Sequence, residues 1–225
     1  MIIYGKNHEA DYCYKDVQQN QKGIQFDIHH KHKTYHVKSP LLGDFNAENI
    51  TGCFAMAHQM GMEPKHILKA IATFHGLKRR LEKRLKHPLT IIDDIAHSPA
   101  KVNSTLETLR KIYKEKIIVV FEPNTGNRKR QAIPQYNNAF KAADFVIIPR
   151  LTKLKHDPHE IDPPLEGDEL AQIISSSHPN THYIEDDIKL IDEIMKNTTK
   201  GSLVVFLGSH GFRGMIENSV KALHA

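Results

Sequence analysis

KIIVVFEPNTGNRKR, residues 116–130, decides the fold. After Lys116 come five consecutive apolar residues, mostly β-branched and without polar alternation. That is the pattern of a strand buried on both faces, as in a parallel sheet covered by helices. The run ends at Glu122 and Pro123 and passes into Asn-Thr-Gly-Asn, a turn-forming string, followed by Arg128, Lys129 and Arg130. Upstream, LTIIDD (89–94) is a similar strand, and Pro99 opens a helix reaching about Tyr113. Downstream stand ADFVIIP (143–149), the short THYIE (181–185), and GSLVVFLGSHG (201–211), which closes in a glycine turn. Helical spacing is read at about 134–142, 167–176 and 187–197. This alternation predicts an α/β fold with a Rossmann-like, mainly parallel sheet over 85–225.

The residues before it read differently. Short strands are expected at 2–4, 24–28 and 34–38, with polar Gly, Asn and Lys clusters between them. A helix at about 46–60 carries Ile50, Phe54, Ala57 and His58 at helical spacing, and Pro64 starts a second helix reaching about 74. The boundary is placed in the basic stretch near 80–88, giving segments 1–84 and 85–225.

Composition bounds the function classes. With 40% hydrophobic and 25% charged residues the 225-residue chain is of ordinary globular type, able to hold one large core or two modest ones. It has no eighteen-residue apolar run, so no membrane span is expected. MIIYGKNHEADY has neither a charged n-region nor a cleavage site, so no signal peptide is expected. Two cysteines, Cys13 and Cys53, make no disulfide framework, and a cytoplasmic protein is the expectation. The net charge of +5 does not imply nucleic acid, because RRLEKRLKH and NRKR lack interleaved aromatics and Trp is absent. Basic residues set against small-substrate phosphates or carboxylates fit better.

In parallel sheets ligands collect at the carboxyl ends of strands. That rule places Asp93, Asp94, His97, Glu122, Asn124 and Ser209–Gly214 on one rim. Asp93, Asp94 and His97 fit hydroxyl or anion contacts, while Ser98-Pro99 alone satisfies a helix start, and both readings stay open. The loop with Arg128 suits a carboxylate or phosphate, with a solvated basic helix start as the alternative. On the first reading, loss of Arg128 weakens ligand binding and leaves stability nearly unchanged. The turn GSHGFRG lets backbone N–H groups approach an anion. It lacks the G-x-x-x-x-G-K-[ST] spacing of a phosphate loop, which occurs nowhere in the chain. The histidines of DIHHKHKTYH (27–36) have ligand chemistry, but Lys31 and Lys33 oppose a cation and a solvated hairpin is preferred. The cysteines have no partner at metal spacing, and Ser98 and Ser209 lack a nucleophile-elbow context.

Taken in order, five stretches resemble the Mur ligase family, enzymes that add amino acids or peptides to UDP-N-acetylmuramate. LLGDFNAENITGCFAMA (41–57) resembles its two-asparagine helix, and FHGLKRRLEKR (74–84) its arginine motif. DDIAHSP (93–99), FEPNTGNRKR (121–130) and GSHGFRG (208–214) follow in the family's order. Within the family, the motif pattern lies nearest the recycling ligase that joins UDP-N-acetylmuramate to L-alanyl-γ-D-glutamyl-meso-diaminopimelate. The L-alanine-adding ligase and a non-catalytic nucleotide- or peptide-binding module are the alternatives. Several positions depart from the family pattern, among them Phe45, Ser98, His210 and Arg213. The resemblance implies the tail of a central ATP-binding domain followed by the C-terminal domain. It implies ATP contacts at Asn46, Asn49, Arg80 and Asp94, and substrate contacts at His97, Arg128, Ser209, His210 and Gly211. It assigns no catalytic or metal-binding residue to this chain. ATP and Mg²⁺ belong to the complete enzyme, whose phosphate loop and metal ligands precede the matched stretch or stand on a separate N-terminal half. The chain alone is expected to be inactive.

Overall fold

In the computed structural model, which describes residues 1–153 and 163–224, the chain divides into two compact units, Met1–Leu77 and Lys78–Ala225. The division falls earlier than after residue 84. Glu82–Leu85 pairs antiparallel with the next strand and so belongs to the second unit's sheet. None of the described helices is long and apolar enough to cross a membrane.

The first unit is a four-stranded sheet backed by two helices. β1 (Tyr4–Gly5) runs parallel to β2 (Tyr12–Asn20), which continues antiparallel into β3 (Gly23–His30) and β4 (Lys33–Ser39). β2 escaped the sequence reading because YCYKDVQQN is polar over most of its length, and only its first three residues are buried. Its hydrogen bonds to β3 hold it, with a bulge between Lys15 and Gln18. α1 (Asn46–Gln59) turns Ala47, Ile50, Thr51, Phe54 and Ala55 inward, an i, i+3/i+4 stripe. α2 (Pro64–Thr73) starts on its proline, whose missing N–H would be unpaired there in any case. Tyr12, Ile24, Phe26, Ile28, Val37, Phe54 and Ile67 form the core of this unit.

The second unit is the predicted α/β domain. Its six strands lie in the order β5 (Glu82–Leu85), β6 (Thr90–Asp94), β10 (Leu203–Gly208), β7 (Ile117–Glu122), β8 (Phe145–Pro149) and β9 (Thr181–Ile184). All neighbours are parallel except β5 and β6. Every residue of β6, β7, β8 and β10 is buried, which is why β7, β8 and β10 are nearly continuous apolar runs, while β6 (TIIDD) buries two acids at its end. α3 (Pro99–Ile112) buries Val102, Leu106 and Leu109 on one stripe. α4 (Gly167–Ser175) begins with a capping box between Glu166 and Glu169. α5 (Asp187–Asn197) is capped by Asp186, whose carboxylate accepts from the Ile188 and Lys189 N–H groups. α6 (Met215–His224), absent from the sequence reading, packs Met215 and Ile216 into the same core as Leu85, Ile91, Ile118 and Val204. The helix expected at 134–142 is instead a 3-10 turn over Arg130–Tyr136, with Pro134 inside it. Proline removes the donor that an α-helix would need there.

Candidate functional site

β6, β10 and β7 are adjacent and parallel, and their last residues are in register: Leu207 lies opposite both Asp94 and Phe121, and Gly208 opposite Glu122. The three following segments therefore leave the sheet from one edge. The rim drawn from the sequence thus exists, and its side chains divide into those already committed and those still open.

Asp94 is committed. Its Oδ1 accepts from the Ala96 N–H at 2.9 Å and its Oδ2 from the Leu81 N–H at 2.8 Å. Burial pushes its carboxyl above the usual range, against the pull of those two N–H groups. Each oxygen keeps a second lone pair beyond these bonds, but the residue is only 7% exposed, so structural anchoring is the role its contacts show. It anchors Leu81, just before β5, to the end of β6.

Arg128 is committed as well, and the expectation of a ligand-facing side chain is corrected. It is 2% exposed, because its loop folds down against the segment preceding α4. Its Nε–H donates to the Leu165 carbonyl at 2.8 Å, Nη1 to the Thr152 carbonyl at 2.8 Å, and Nη2 to Glu166 Oε1 at 3.1 Å. A buried guanidinium so occupied holds loops together, and its loss will affect stability. Asn124 similarly caps its own turn, accepting from the Asn127 N–H. His97 Nδ1 is turned back on the Ile95 carbonyl at 2.7 Å.

The glycine turn is where several groups meet. Glu122 ends β7 and is 1% exposed. Its Oε1 accepts from the Thr152 N–H at 2.7 Å, and Oε2 has no hydrogen-bond partner among the described residues. His210 Nδ1 stands 3.7 Å from Oε1 and Arg213 Nη1 4.0 Å from Oε2, so two basic groups roof this carboxylate. Arg213 also pairs with Asp187 at the start of α5, which raises its pKa. Ser209 Oγ lies 3.2 Å from His210 Nδ1, and Gly211 is exposed. Beyond it Phe212 and Arg213 both adopt left-handed φ of 53° and 50°, unusual for side-chain-bearing residues and enriched at ligand sites.

Beneath this turn lies a residue that the sequence reading passed over. Arg79 donates from Nη1 to the Ser209 carbonyl at 3.0 Å, and from Nη2 to the His210 carbonyl at 2.9 Å and to the Gly208 carbonyl. Its Nε faces Asp93 Oδ1 at 3.5 Å. The signal for it in the sequence is the arginine pair in LKRRLEKR, of which the resemblance implies a role only for the second.

The residues for which the resemblance implies ATP contacts are divided between the two units. In the first, Asn46 Nδ2 donates to the Leu42 carbonyl at 2.7 Å, and Asn49 Nδ2 lies 3.4 Å from Asn46 Oδ1. Asn49 is exposed and lines an open pocket of about 670 Å³ with Ile2, Tyr4, Cys53 and Met56. In the second, Arg80 is exposed and makes no hydrogen bond or ion pair among the described residues. Within its own unit each of these two exposed side chains, the Asn49 carboxamide and the Arg80 guanidinium, faces solvent.

The histidine-rich strands of the first unit disperse their imidazoles. His30 stacks on Tyr12 at 4.0 Å, and His36 Nδ1 meets Asp27 at 2.7 Å. His29, Asp16 and Asp27 do bring ligand-type atoms within 4.8 Å of one another on a surface-facing patch. That exposed cluster carries no assignment. Cys13 is buried and Cys53 exposed, both as free thiols.

Comparison with known proteins adds to this geometry. Residues 79–210 match the profile of the Mur ligase, glutamate ligase domain, and residues 1–57 that of the Mur ligase middle domain. The UDP-N-acetylmuramate–L-alanine ligase of Caldanaerobacter subterraneus is 27% identical over 212 residues, covering 93% of this chain and 45% of that protein. The ligase of the same name from Caldicellulosiruptor saccharolyticus is 27% identical over 220 residues, 96% of this chain and 48% of that protein. The crystal structure of the Thermotoga maritima UDP-N-acetylmuramate–alanine ligase superposes with a TM-score of 0.78 at 19% identity, covering 99% of this chain and 48% of that one. The chain thus spans about half the length of the curated relatives it matches. These relatives are L-alanine ligases, which corrects the motif-based expectation of nearness to the tripeptide-adding member.

Proposed function

The chain belongs to the Mur ligase family, and from that premise we propose that it forms the C-terminal half of an ATP-dependent amide ligase joining L-alanine to UDP-N-acetylmuramate. The observation carrying this reading is the match of 79–210 to the ligase domain, in relatives that bear that activity in their names. In such a reaction the γ-phosphoryl group of ATP passes to the substrate carboxylate, giving an acyl phosphate and ADP. The amine attacks that carbonyl, the amide forms, and phosphate leaves. Catalysis of this kind rests on positioning and on charge stabilisation.

In this reading Arg80 meets nucleotide phosphate, Asn46 and Asn49 meet the base, and the Ser209–Gly211 turn with His210 receives the amine-bearing substrate. Glu122, buried beneath His210 and Arg213, bears on the substrate only through that basic roof. The residues present contain no phosphate loop, so this chain alone turns over no ATP.

A fusion behind the portion of the C. subterraneus relative that precedes the match tests the reading. ADP release should require ATP, UDP-N-acetylmuramate and L-alanine together. Release with L-alanyl-γ-D-glutamyl-meso-diaminopimelate and none with L-alanine would restore the recycling ligase. Turnover by the chain alone would refute the division of labour.

A further inference from the structure

We propose that Arg79 is a positioning residue of this site: it aims the N–H groups of the Gly208–Gly211 turn at an oxyanion, a carboxylate or phosphate group, of the substrate. The inference rests on the reading above only in taking the turn as substrate-facing. One guanidinium collects three successive carbonyls, those of Gly208, Ser209 and His210. A trans peptide is planar, with its C=O and N–H pointing in opposite directions. The N–H groups of Ser209, His210 and Gly211 therefore point away from Arg79. A cation bonded to the oxygen of each peptide also polarises it and makes the opposite N–H a stronger donor.

Arg79 is itself fixed to two strands. Its N–H donates to Glu82 Oε2 at 2.9 Å at the head of β5, and its carbonyl accepts from the Ile95 N–H at 3.0 Å beyond β6. Its backbone is held at a left-handed φ of 59°, a conformation that non-glycine residues adopt only when their surroundings impose it. Asp93, which faces its Nε, is braced in turn by Arg84 at 3.6 Å. The turn after β10 is thus registered on the end of β6 through one side chain. With glycines at 208 and 211, that turn without Arg79 would sample many conformations and lose the advantage of preorganised donors. The forked guanidinium is required because a lysine ammonium cannot reach three carbonyls in that fixed planar array.

The test uses the ¹⁵N-labelled full chain titrated with inorganic phosphate and, separately, with acetate. The Ser209, His210 and Gly211 amide resonances should shift saturably with at least one anion, and the anion that saturates assigns the class. Arg79→Lys should weaken that response by about tenfold or more, whereas Arg84→Lys, which touches Asp93 but not the turn, should stay within about twofold. Free guanidinium at low concentration should restore the response of Arg79→Ala, which a general loss of stability would not permit. The proposal fails if the unsubstituted chain shows no saturable shift, if Arg79→Lys binds as tightly as it, if Arg84→Lys loses as much, or if guanidinium restores nothing. The ligase reading fails separately, by absent ADP release from the fusion while these shifts persist.

Discussion

Arg128 and Leu165 bond to each other twice: the arginine Nε–H donates to the leucine carbonyl at 2.8 Å, and the leucine N–H donates to the arginine carbonyl at 2.7 Å. This reciprocal pair pins the loop after β7 to the residues leading into α4. It makes Arg128 a keystone of two loops, and the energetic consequence follows from burial.

Replacing Arg128 by Ala strands the Leu165 and Thr152 carbonyls in a site from which the side chain excluded water. The cost is expected at about 2–4 kcal/mol, with the Glu166 contribution discounted because that carboxylate is largely exposed. Urea unfolding checks it: an unchanged midpoint would return Arg128 to the solvent.

Gly208→Ala is expected to destabilise the second unit by about 1–3 kcal/mol. A Cβ there would lie 2.6 Å from the Glu122 carbonyl oxygen and 2.9 Å from the Phe212 ring. The first obstacle is backbone in the central strand, so the turn must move. A thermal melt of the variant matching the parent would show that β7 and β10 approach less closely.

Acid should weaken the first unit through His58. Its Nδ1 lies 2.7 Å from Tyr12 Oη, which also accepts from Gln59 Nε2 at 2.9 Å, so the tyrosine hydroxyl donates to a neutral imidazole. Burial, helped by His30, Lys33 and Lys31, depresses the His58 pKa below its ordinary 6.5. Between the depressed value and 6.5 the unfolded chain holds a proton that the folded chain lacks. This contribution to stability is therefore complete above 6.5 and falls as pH drops through that window. His58→Gln keeps an acceptor for Tyr12 without titrating. Unfolding midpoints from about pH 7 to pH 5 should fall less steeply in the variant than in the parent; parallel slopes would remove His58 as the cause.

The legible and illegible parts of this molecule differ in a physical way. IIVVF, FVIIP and LVVFL announced buried parallel strands because burial on both faces leaves no room for polar residues. β2 was invisible since its stability comes from backbone pairing with β3 and only Tyr12, Cys13 and Tyr14 are buried. Proline at 134 was a readable warning against a helix there, outvoted by the surrounding spacing. At the site, the rim was legible because strand ends dictate it. The roles on it were not, because a local string cannot say whether a basic residue turns inward. Arg128 turned into the fold, Arg79 turned under the turn, and Arg80, one residue later, turned out.

That last contrast supplies the sharpest prediction. Arg80 is exposed and makes no hydrogen bond or ion pair among the described residues; its charge favours the ionised form of buried Asp94. Arg80→Ala should therefore change the unfolding free energy of the chain by no more than about 0.5 kcal/mol. In the fusion proposed above, the Arg80 contact to nucleotide phosphate that the proposed function assigns predicts that Arg80→Ala lowers ATP-dependent ligation by about tenfold or more. Arg128→Ala would show the opposite order, with stability falling first and activity following only as folded protein is lost. Measuring melting temperature and ADP release on both variants separates the roles. If Arg80→Ala ligates at the parent rate, its exposure is that of an ordinary surface arginine, and the phosphate contact must come from elsewhere.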